Sequence, residues 1–243
     1  MKLTANDVKD LLREANDKTN DDRWIKHSIC VGDAARTIAN ELELDGEYAS
    51  ILGYIHDIGK TGQTDFTNHD ILGYKLLKQK GFDECYARIC MTHSYIKGDY
   101  TCVAGGIPEE HPLRTELIKE RPYDLYEEII NLCDLMCTTE IMSMEKRLID
   151  LVIRKGVHEN TKHFLEGAIN LKQEFDEYLG FDLYKLFPEF HVWNEAYLCY
   201  DTDGIHLSID DVLYSSKNKA KEKCKLINEK EGGEWDVYTL SII

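Results

Sequence analysis

Hydrophobic residues recur at helical spacing over most of the first 180 positions of the chain. After Asn20, a favourable helix cap, Ile25, Ile29, Gly32 and Ala35 lie three or four residues apart, which is the spacing of one helix face. The same pattern predicts helices over residues 4–15, 20–42, 46–58, 68–80, 83–93, 122–141, 143–156 and 160–179.

The last fifty residues have a different pattern. Residues 196–200 and 233–242 are rich in strand-forming side chains, and a lysine-rich stretch over 215–230 has helical character. We therefore predict a mainly α fold with two parts. Residues 1–190 form a helical body, and residues 191–243 form a small α+β appendage that either stands apart or packs onto the body.

Residues 94–121 interrupt the helical pattern with glycines and prolines. A connection of this length within a domain is typically a functional lid or a disordered insert. Tyr95 and Tyr100 could stack on a base, and Lys97 and Arg114 could bind phosphate. We therefore expect this segment to cover a site and to select its substrate.

Charge restricts the class of partner. The chain has 29 basic and 45 acidic residues and a formal net charge of −16. This balance argues against long nucleic acids as partners, because neutralising their phosphates needs a basic face. A local basic pocket for a small anion remains compatible with it.

Location is predicted from features that the sequence lacks. No apolar stretch is long enough to span a bilayer, and the first residues lack the apolar core of a signal peptide. The eight cysteines lack close paired spacing, and Cys133 and Cys137, four residues apart, have no second pair, so we expect reduced thiols, a cytoplasmic location and no contact with a membrane.

Candidate chemistry centres on the stretch ILGYIHDIGKTG, residues 51–62. His56 and Asp57 end an apolar helical turn, Gly59 suits a following turn with positive φ, and Lys60 adds a cation. An imidazole beside a carboxylate suits a divalent first-row metal ion. Four further metal-ligand side chains fall on apolar helical stripes, namely His27, His69, His93 and Asp134.

Each of these residues also has an ordinary explanation. A single inward histidine is more often a hydrogen-bonded core residue than a ligand, and Asp134 alone could equally belong to a salt bridge. A buried carboxylate costs several kcal/mol unless it is paired or bound to metal. Because four histidines and two aspartates share inward faces, a metal site explains them better than separate core roles do.

The order His27, His56-Asp57 and Asp134 resembles the HD superfamily of metal-dependent phosphohydrolases, whose signature is often spelled HDIGK. The resemblance covers roughly residues 20–180. It implies an HD-type helical bundle that hydrolyses phosphate esters or anhydrides, often of nucleotides. By position, these four residues would hold a first divalent metal ion.

His69 and His93 resemble the two extra histidines of the two-metal branches of that superfamily. These branches include HD-GYP cyclic-dinucleotide phosphodiesterases and HD-type dinucleoside-polyphosphate hydrolases. The resemblance implies that Asp57 bridges to a second metal ion held by the two histidines. After His93 the chain reads HSYIKGDY, without the second histidine and Gly-Tyr-Pro turn of the HD-GYP group.

We therefore expect a phosphohydrolase that acts on a small phosphorylated molecule, a nucleotide above all, through metal-bound hydroxide. Asp57 and Lys60 are the candidate catalytic residues, and Lys60, Lys97 and Arg114 are the candidate substrate-binding residues. One or two ions of Mn, Fe, Co, Ni, Zn or Mg would serve. The alternatives are a ligand-sensing or partner-binding module without turnover and a di-iron oxygenase, and a homo-oligomer is compatible with each.

Overall fold

The computed structural model describes residues 1–18, 21–64, 66–190, 195–201, 217–231 and 235–241. It divides into two compact units, Met1–Phe190 and His191–Ile243. Among the described residues no helix is long and apolar enough to cross a membrane. The mainly α fold predicted from the sequence is confirmed.

The first unit is a bundle of nine α-helices with short 3-10 turns in the described part of the chain. Its helices are α1 Ala5–Asn16, α2 Arg23–Glu41, α3 Gly46–Ile55, α4 His69–Gln79, α5 Glu84–Thr92, α6 Pro112–Lys119, α7 Leu125–Asp134, α8 Met144–Lys155 and α9 Thr161–Leu179. The core includes Ile38, Leu52, Ile130 and Phe175, all fully buried or nearly so. These residues come from α2, α3, α7 and α9, so the core joins helices that are distant in sequence.

Several helix ends follow directly from local sequence. Thr4 and Asp7 form a reciprocal capping box at the start of α1, and the Ser143 side chain accepts from the Lys146 backbone at the start of α8. Gly180 ends α9 in the left-handed conformation, with φ of 74°. The predicted ends of α8 and α9 are therefore correct to within a residue or two.

The helix predicted to open at Pro122 is shorter than expected. It begins at Leu125, because Asp124 and Glu127 form a capping box, and it ends at Asp134. Cys137 and Ile141 lie beyond the helix and pair in an isolated β-bridge. The helix predicted over 122–141 was therefore too long at both ends.

Residues 94–121 are part of the folded body rather than a loose lid or an insert. Ile96–Gly98 forms a 3-10 turn, and α6 begins at Pro112, a favourable first helical residue. Tyr95, Ile96 and Ile118 are almost fully buried. Burial of these side chains fixes the segment against the bundle.

The second unit contains β1 Glu195–Asp201, α10 Lys217–Glu231 and β2 Trp235–Ser241. The strands are antiparallel, with a register running from Glu195 opposite Ser241 to Asp201 opposite Trp235. Both strands and the helix lie where the sequence predicts them. The sequence DTDG, residues 201–204, also predicts a turn, and after Asp201 it lies outside the described residues.

Candidate metal centre

Helix ends supply five of the six predicted metal ligands. His56 follows the last residue of α3 and Asp57 is next to it; His93 follows α5, and Asp134 is the last residue of α7. His69 is the first residue of α4, whereas His27 lies within α2. Packing of these helices against one another brings the six side chains to one place.

The first cluster joins His27, His56 and Asp134, whose ligand atoms all lie within 4.8 Å of one another. His27 Nε2 is 2.9 Å from Asp134 Oδ1 and 3.3 Å from His56 Nε2. A proton or a metal ion must lie between an imidazole nitrogen and a carboxylate oxygen this close. The cluster has the donor set of a divalent first-row metal.

The second cluster joins His69 and His93 to Asp57. His69 Nε2 lies 3.3 Å from Asp57 Oδ1, and His93 Nε2 lies 3.6 Å from the same oxygen. The other oxygen, Oδ2, lies 3.5 Å from His56 Nε2 and 3.8 Å from His27 Nε2. Asp57 thus faces one cluster with each carboxylate oxygen, which is the geometry of a bridging ligand.

Backbone carbonyl groups fix three of the imidazole rings. The Nδ1 atoms of His56, His69 and His93 lie 2.6, 2.6 and 2.9 Å from the carbonyl oxygens of Gly53, Phe66 and Cys90. Because a carbonyl can only accept, each Nδ1 carries a proton and donates it. Carbonyl partners of this kind orient the histidine ligands of metal sites.

The same geometry leaves unprotonated nitrogens facing each other. Burial lowers the pKa of His56 and of His93, and lowers the pKa of His69 to about 4. The three imidazoles are therefore neutral near pH 7, with lone pairs on Nε2. Since the Nε2 atoms of His69 and His93 are 3.2 Å apart, their lone pairs repel unless a cation lies beside both.

Asp57 also lacks a partner on one side. Its Oδ1 atom is buried and accepts no hydrogen bond from the described residues. Burial tends to raise the pKa of Asp57, but the Lys60 ammonium, joined at low pH by the protonated imidazoles nearby, outweighs it and holds the pKa well below its usual range. An ionised, buried carboxylate oxygen without a donor fits a metal ion. The residues present therefore fit the predicted cofactor.

Gly59 has a different role from the one expected. Its φ is not positive, so no left-handed turn requires glycine there. Instead, a Cβ at this position would lie 1.8 Å from the His69 carbonyl oxygen and 2.4 Å from the Gly73 nitrogen. Glycine is needed because the turn after Asp57 packs directly on the backbone of α4.

A cavity of about 550 Å³ opens onto both clusters. Its wall includes His27, Asp57, His69, His93 and Asp134, together with the apolar side chains of Trp24, Phe66 and Phe164. Five cations and three carboxylates line it, the cations being Arg23, Lys60, Arg147, Arg154 and Lys155. Despite the net charge of −16, this cavity can attract an anion.

Lys60 lies at the site, whereas Lys97 and Arg114 lie elsewhere. The Lys60 ammonium contacts Asp57 Oδ2 and lies over the Phe66 ring. Lys97 pairs with Glu174, outside the wall of the cavity. The geometry therefore gives no support to phosphate binding by Lys97.

Arg114 is buried against Asp70, with its Nη2 atom 3.1 Å from Asp70 Oδ1. It is also absent from the cavity wall. Tyr95 and Tyr100 stack on each other, with ring centroids 5.3 Å apart. From residues 94–121 the cavity wall includes Ser94, Val103 and Ala104, so this segment contributes to the wall without the expected aromatic and cationic side chains.

Two features of the site were missed from the sequence. Arg147, Arg154 and Lys155 lie on a correctly predicted helix, and their spacing with Leu151 would have placed them on one face. Asn131 is buried and donates to the carbonyl oxygens of Thr92 and His93. Its position on the α7 stripe was a signal, but its partners are distant in sequence.

The fold and the two clusters define a helical protein with histidine and aspartate groups that could hold a divalent metal ion. Residues 24–138 match the family model of the HD domain, and the histidine and aspartate groups of the structure are consistent with that family. HD domains bind divalent metal ions and typically are metal-dependent hydrolases.

One curated relative is the tRNA (cytidine(56)-2'-O)-methyltransferase of Picrophilus torridus. It is 26% identical over 159 residues, which make up 65% of this chain and 42% of the relative. The chain thus spans less than half the length of that protein. No solved structure matches the chain significantly.

Proposed function

We propose that the first unit hydrolyses a phosphate ester or anhydride of a small substrate, a nucleotide above all. One observation carries the proposal: Asp57 faces His27 and His56 with one carboxylate oxygen and His69 and His93 with the other, at the wall of a cavity with more cations than carboxylates. Its volume of about 550 Å³ falls within the range of roughly 300–1,000 Å³ typical of small-molecule sites.

The predicted ligands divide between two ions. His27, His56 and Asp134 would hold one ion, His69 and His93 would hold the other, and Asp57 would contact both through its two oxygens. When bound, divalent ions at such a site lower the pKa of water and offset the charge of a phosphoryl group. This chemistry suits hydrolysis near neutral pH.

Lys60 and the apolar wall would position the substrate. The Lys60 ammonium lies beside Asp57, so it can donate to a phosphoryl oxygen held at the same place. Trp24 and Phe66 line the cavity and offer apolar surface to the organic part of the substrate. Base stacking on such side chains is tolerant of base identity.

A phosphate-release panel tests the proposal. Nucleoside mono-, di- and triphosphates and simple phosphate esters are incubated with the purified protein and manganese, iron, cobalt, nickel, zinc or magnesium. We expect release with at least one metal, and Lys60→Ala should reduce turnover without reducing metal content. Lys162→Ala, which removes an exposed cation paired with Glu166 on α9, is the matched control.

Two outcomes point elsewhere. A silent panel, combined with a nucleotide that raises the melting temperature, would replace hydrolysis with ligand sensing. Methylation of tRNA, the activity in the relative's name, has little support here because RNA binding needs a basic face and the chain carries −16. A tRNA binding assay in the same metals tests this directly.

A further inference from the structure

One wall of the cavity is formed by α8, and the hydrolytic proposal gives none of its residues an individual role. Arg147, Leu151, Arg154 and Lys155 line the cavity, at intervals of four, three and one residue. These intervals place them on one face of the helix. Three of the five cations of the cavity therefore belong to a single helix.

The other two cations already face carboxylates. Lys60 contacts Asp57, and Arg23 binds Asp21, with Nε 2.9 Å from Oδ1. Asp21, like Asp57, lines the cavity, so each of these charges is offset locally. The positive charge that remains for a ligand lies mainly on α8.

Arg147 is the most informative of these residues. It is about nine-tenths buried, and its Nη1 atom donates to Asp150 Oδ2 at 2.9 Å. Its Nε atom is also buried and has no hydrogen-bond partner among the described residues. A desolvated donor without a partner is unfavourable, so this guanidinium fits a ligand that accepts hydrogen bonds.

Asp150 holds both guanidinium groups without neutralising them. Arg154 donates to it through Nε and Nη2, at 3.0 and 2.8 Å from Oδ2, while Arg147 donates to the same oxygen. Two guanidinium groups thus share one carboxylate. Lys155 adds a further cation, and its ammonium contacts a neutral acceptor, the Ala104 carbonyl oxygen, at 3.3 Å.

The helix dipole explains only part of this arrangement. Cations are favourable near the end of a helix, where Arg154 and Lys155 lie, but not near its start. Arg147 is the fourth residue of α8 and is buried, so a dipole effect does not account for it. A bound anion accounts for all three cations.

We propose that the cavity face of α8 is a second anion subsite, which binds a phosphoryl group other than the one that is hydrolysed. Arg147 would be its principal contact. The inference rests on the proposed function for the identity of the scissile phosphate. It implies a substrate with at least two phosphoryl groups rather than a monophosphate.

Binding of inorganic tripolyphosphate and orthophosphate tests the subsite without turnover. Each is titrated by calorimetry into manganese-loaded protein, with manganese in excess so that chelation does not strip the site. Arg147→Gln should weaken tripolyphosphate binding by about tenfold or more, since it removes charge-assisted hydrogen bonds. Orthophosphate is expected to bind at the manganese ions, so its affinity should change by less than about twofold.

Three further variants separate ligand binding from a structural role. Arg147→Lys keeps the charge and should restore part of the tripolyphosphate affinity. Asp150→Asn removes the shared carboxylate but keeps the cations, so it should bind tripolyphosphate at least as tightly as the wild type. Lys162→Gln, the exposed control, should match the wild type. Metal content and melting temperature are measured for every variant.

The test of the subsite is whether Arg147→Gln loses more affinity for tripolyphosphate than for orthophosphate. For Arg147→Gln, the loss of affinity for tripolyphosphate is divided by the loss of affinity for orthophosphate. If this ratio is below about five, the subsite is refuted. The subsite is equally refuted if Asp150→Asn weakens tripolyphosphate binding as much as Arg147→Gln does, because both substitutions would then act only through the fold of α8. Should Arg147→Gln fail to fold, Arg147→Lys replaces it, and the subsite is refuted if that variant loses no more affinity for tripolyphosphate than for orthophosphate. Selective binding with a silent phosphate-release panel would remove hydrolysis but keep the subsite.

Discussion

Replacing Gly59 with alanine should separate the two metal clusters. The added Cβ would lie 1.8 Å from the His69 carbonyl oxygen, whereas Cβ contacts below 3.0 Å essentially never occur. The turn after Asp57 and the start of α4 must therefore move apart by about 1.2 Å at this point. Both contacting atoms are backbone atoms, so no side-chain rotation can relieve the overlap.

A shift of this size is large for a metal site. Metal–ligand distances tolerate about 0.2 Å, and His69 now lies 3.3 Å from Asp57 Oδ1. We expect the His69–His93 side to lose its ion while His27, His56 and Asp134 keep theirs. Turnover should fall by about 100-fold or more, and overpacking should cost about 1–3 kcal/mol of stability.

Metal content per chain after saturation with manganese, together with urea unfolding, measures both effects. Gly81→Ala is the matched control, because Gly81 follows α4, has φ of +83°, and has no atom within 4 Å of an added Cβ. It should cost stability through backbone strain but keep the wild-type metal content. Wild-type metal content in Gly59→Ala, or equal metal loss in both variants, would show that close packing of Gly59 on α4 does not position His69.

Three other substitutions probe the surroundings of the site. Asp134→Asn should weaken metal binding by more than the roughly 10–100-fold typical of outer-shell partners, with helical circular dichroism retained; full metal occupancy would remove Asp134 from the ligand set. Arg114→Met should cost about 3–5 kcal/mol of unfolding free energy, because it leaves the buried Asp70 unpaired. It should not alter the KM for the substrate. A raised KM at unchanged stability would restore the substrate-binding role predicted from sequence. Asn131→Leu should cost about 1–3 kcal/mol of unfolding free energy and weaken binding of the ion beside His93, since two carbonyl groups lose their donor. Unchanged metal affinity would show that Asn131 is a core residue only.

Periodicity was sufficient to predict most helices and to place the predicted ligands on inward faces. Asp134 illustrates why, because a carboxylate on an apolar stripe is conspicuous in any sequence. Gly59 illustrates the limit. The sequence analysis explained Gly59 by a turn with positive φ. Glycine is needed instead because this position contacts α4, which is formed by residues ten and more positions away.

The cationic residues were harder to assign. Arg114 and Lys97 looked available because they lie in a stretch without clear helical periodicity. Arg114 instead pairs with Asp70, 44 residues earlier in the chain, and only the tertiary structure shows this. Arg147 was not predicted as a site residue, because a charged residue on an amphipathic helix ordinarily faces solvent. In the structure it is buried in the cavity wall.

The use of helix ends as the source of ligands has a physical basis. The last carbonyl groups of a helix lack partners within it, so a histidine just after the helix can donate Nδ1–H to one of them. His56 does this with Gly53 at the end of α3, and His93 does it with Cys90 at the end of α5. Since α3, α5 and α7 all end at the site, the negative ends of their dipoles also favour a cation there. The helix ends that orient the imidazoles therefore also favour binding of the ion that the imidazoles would hold.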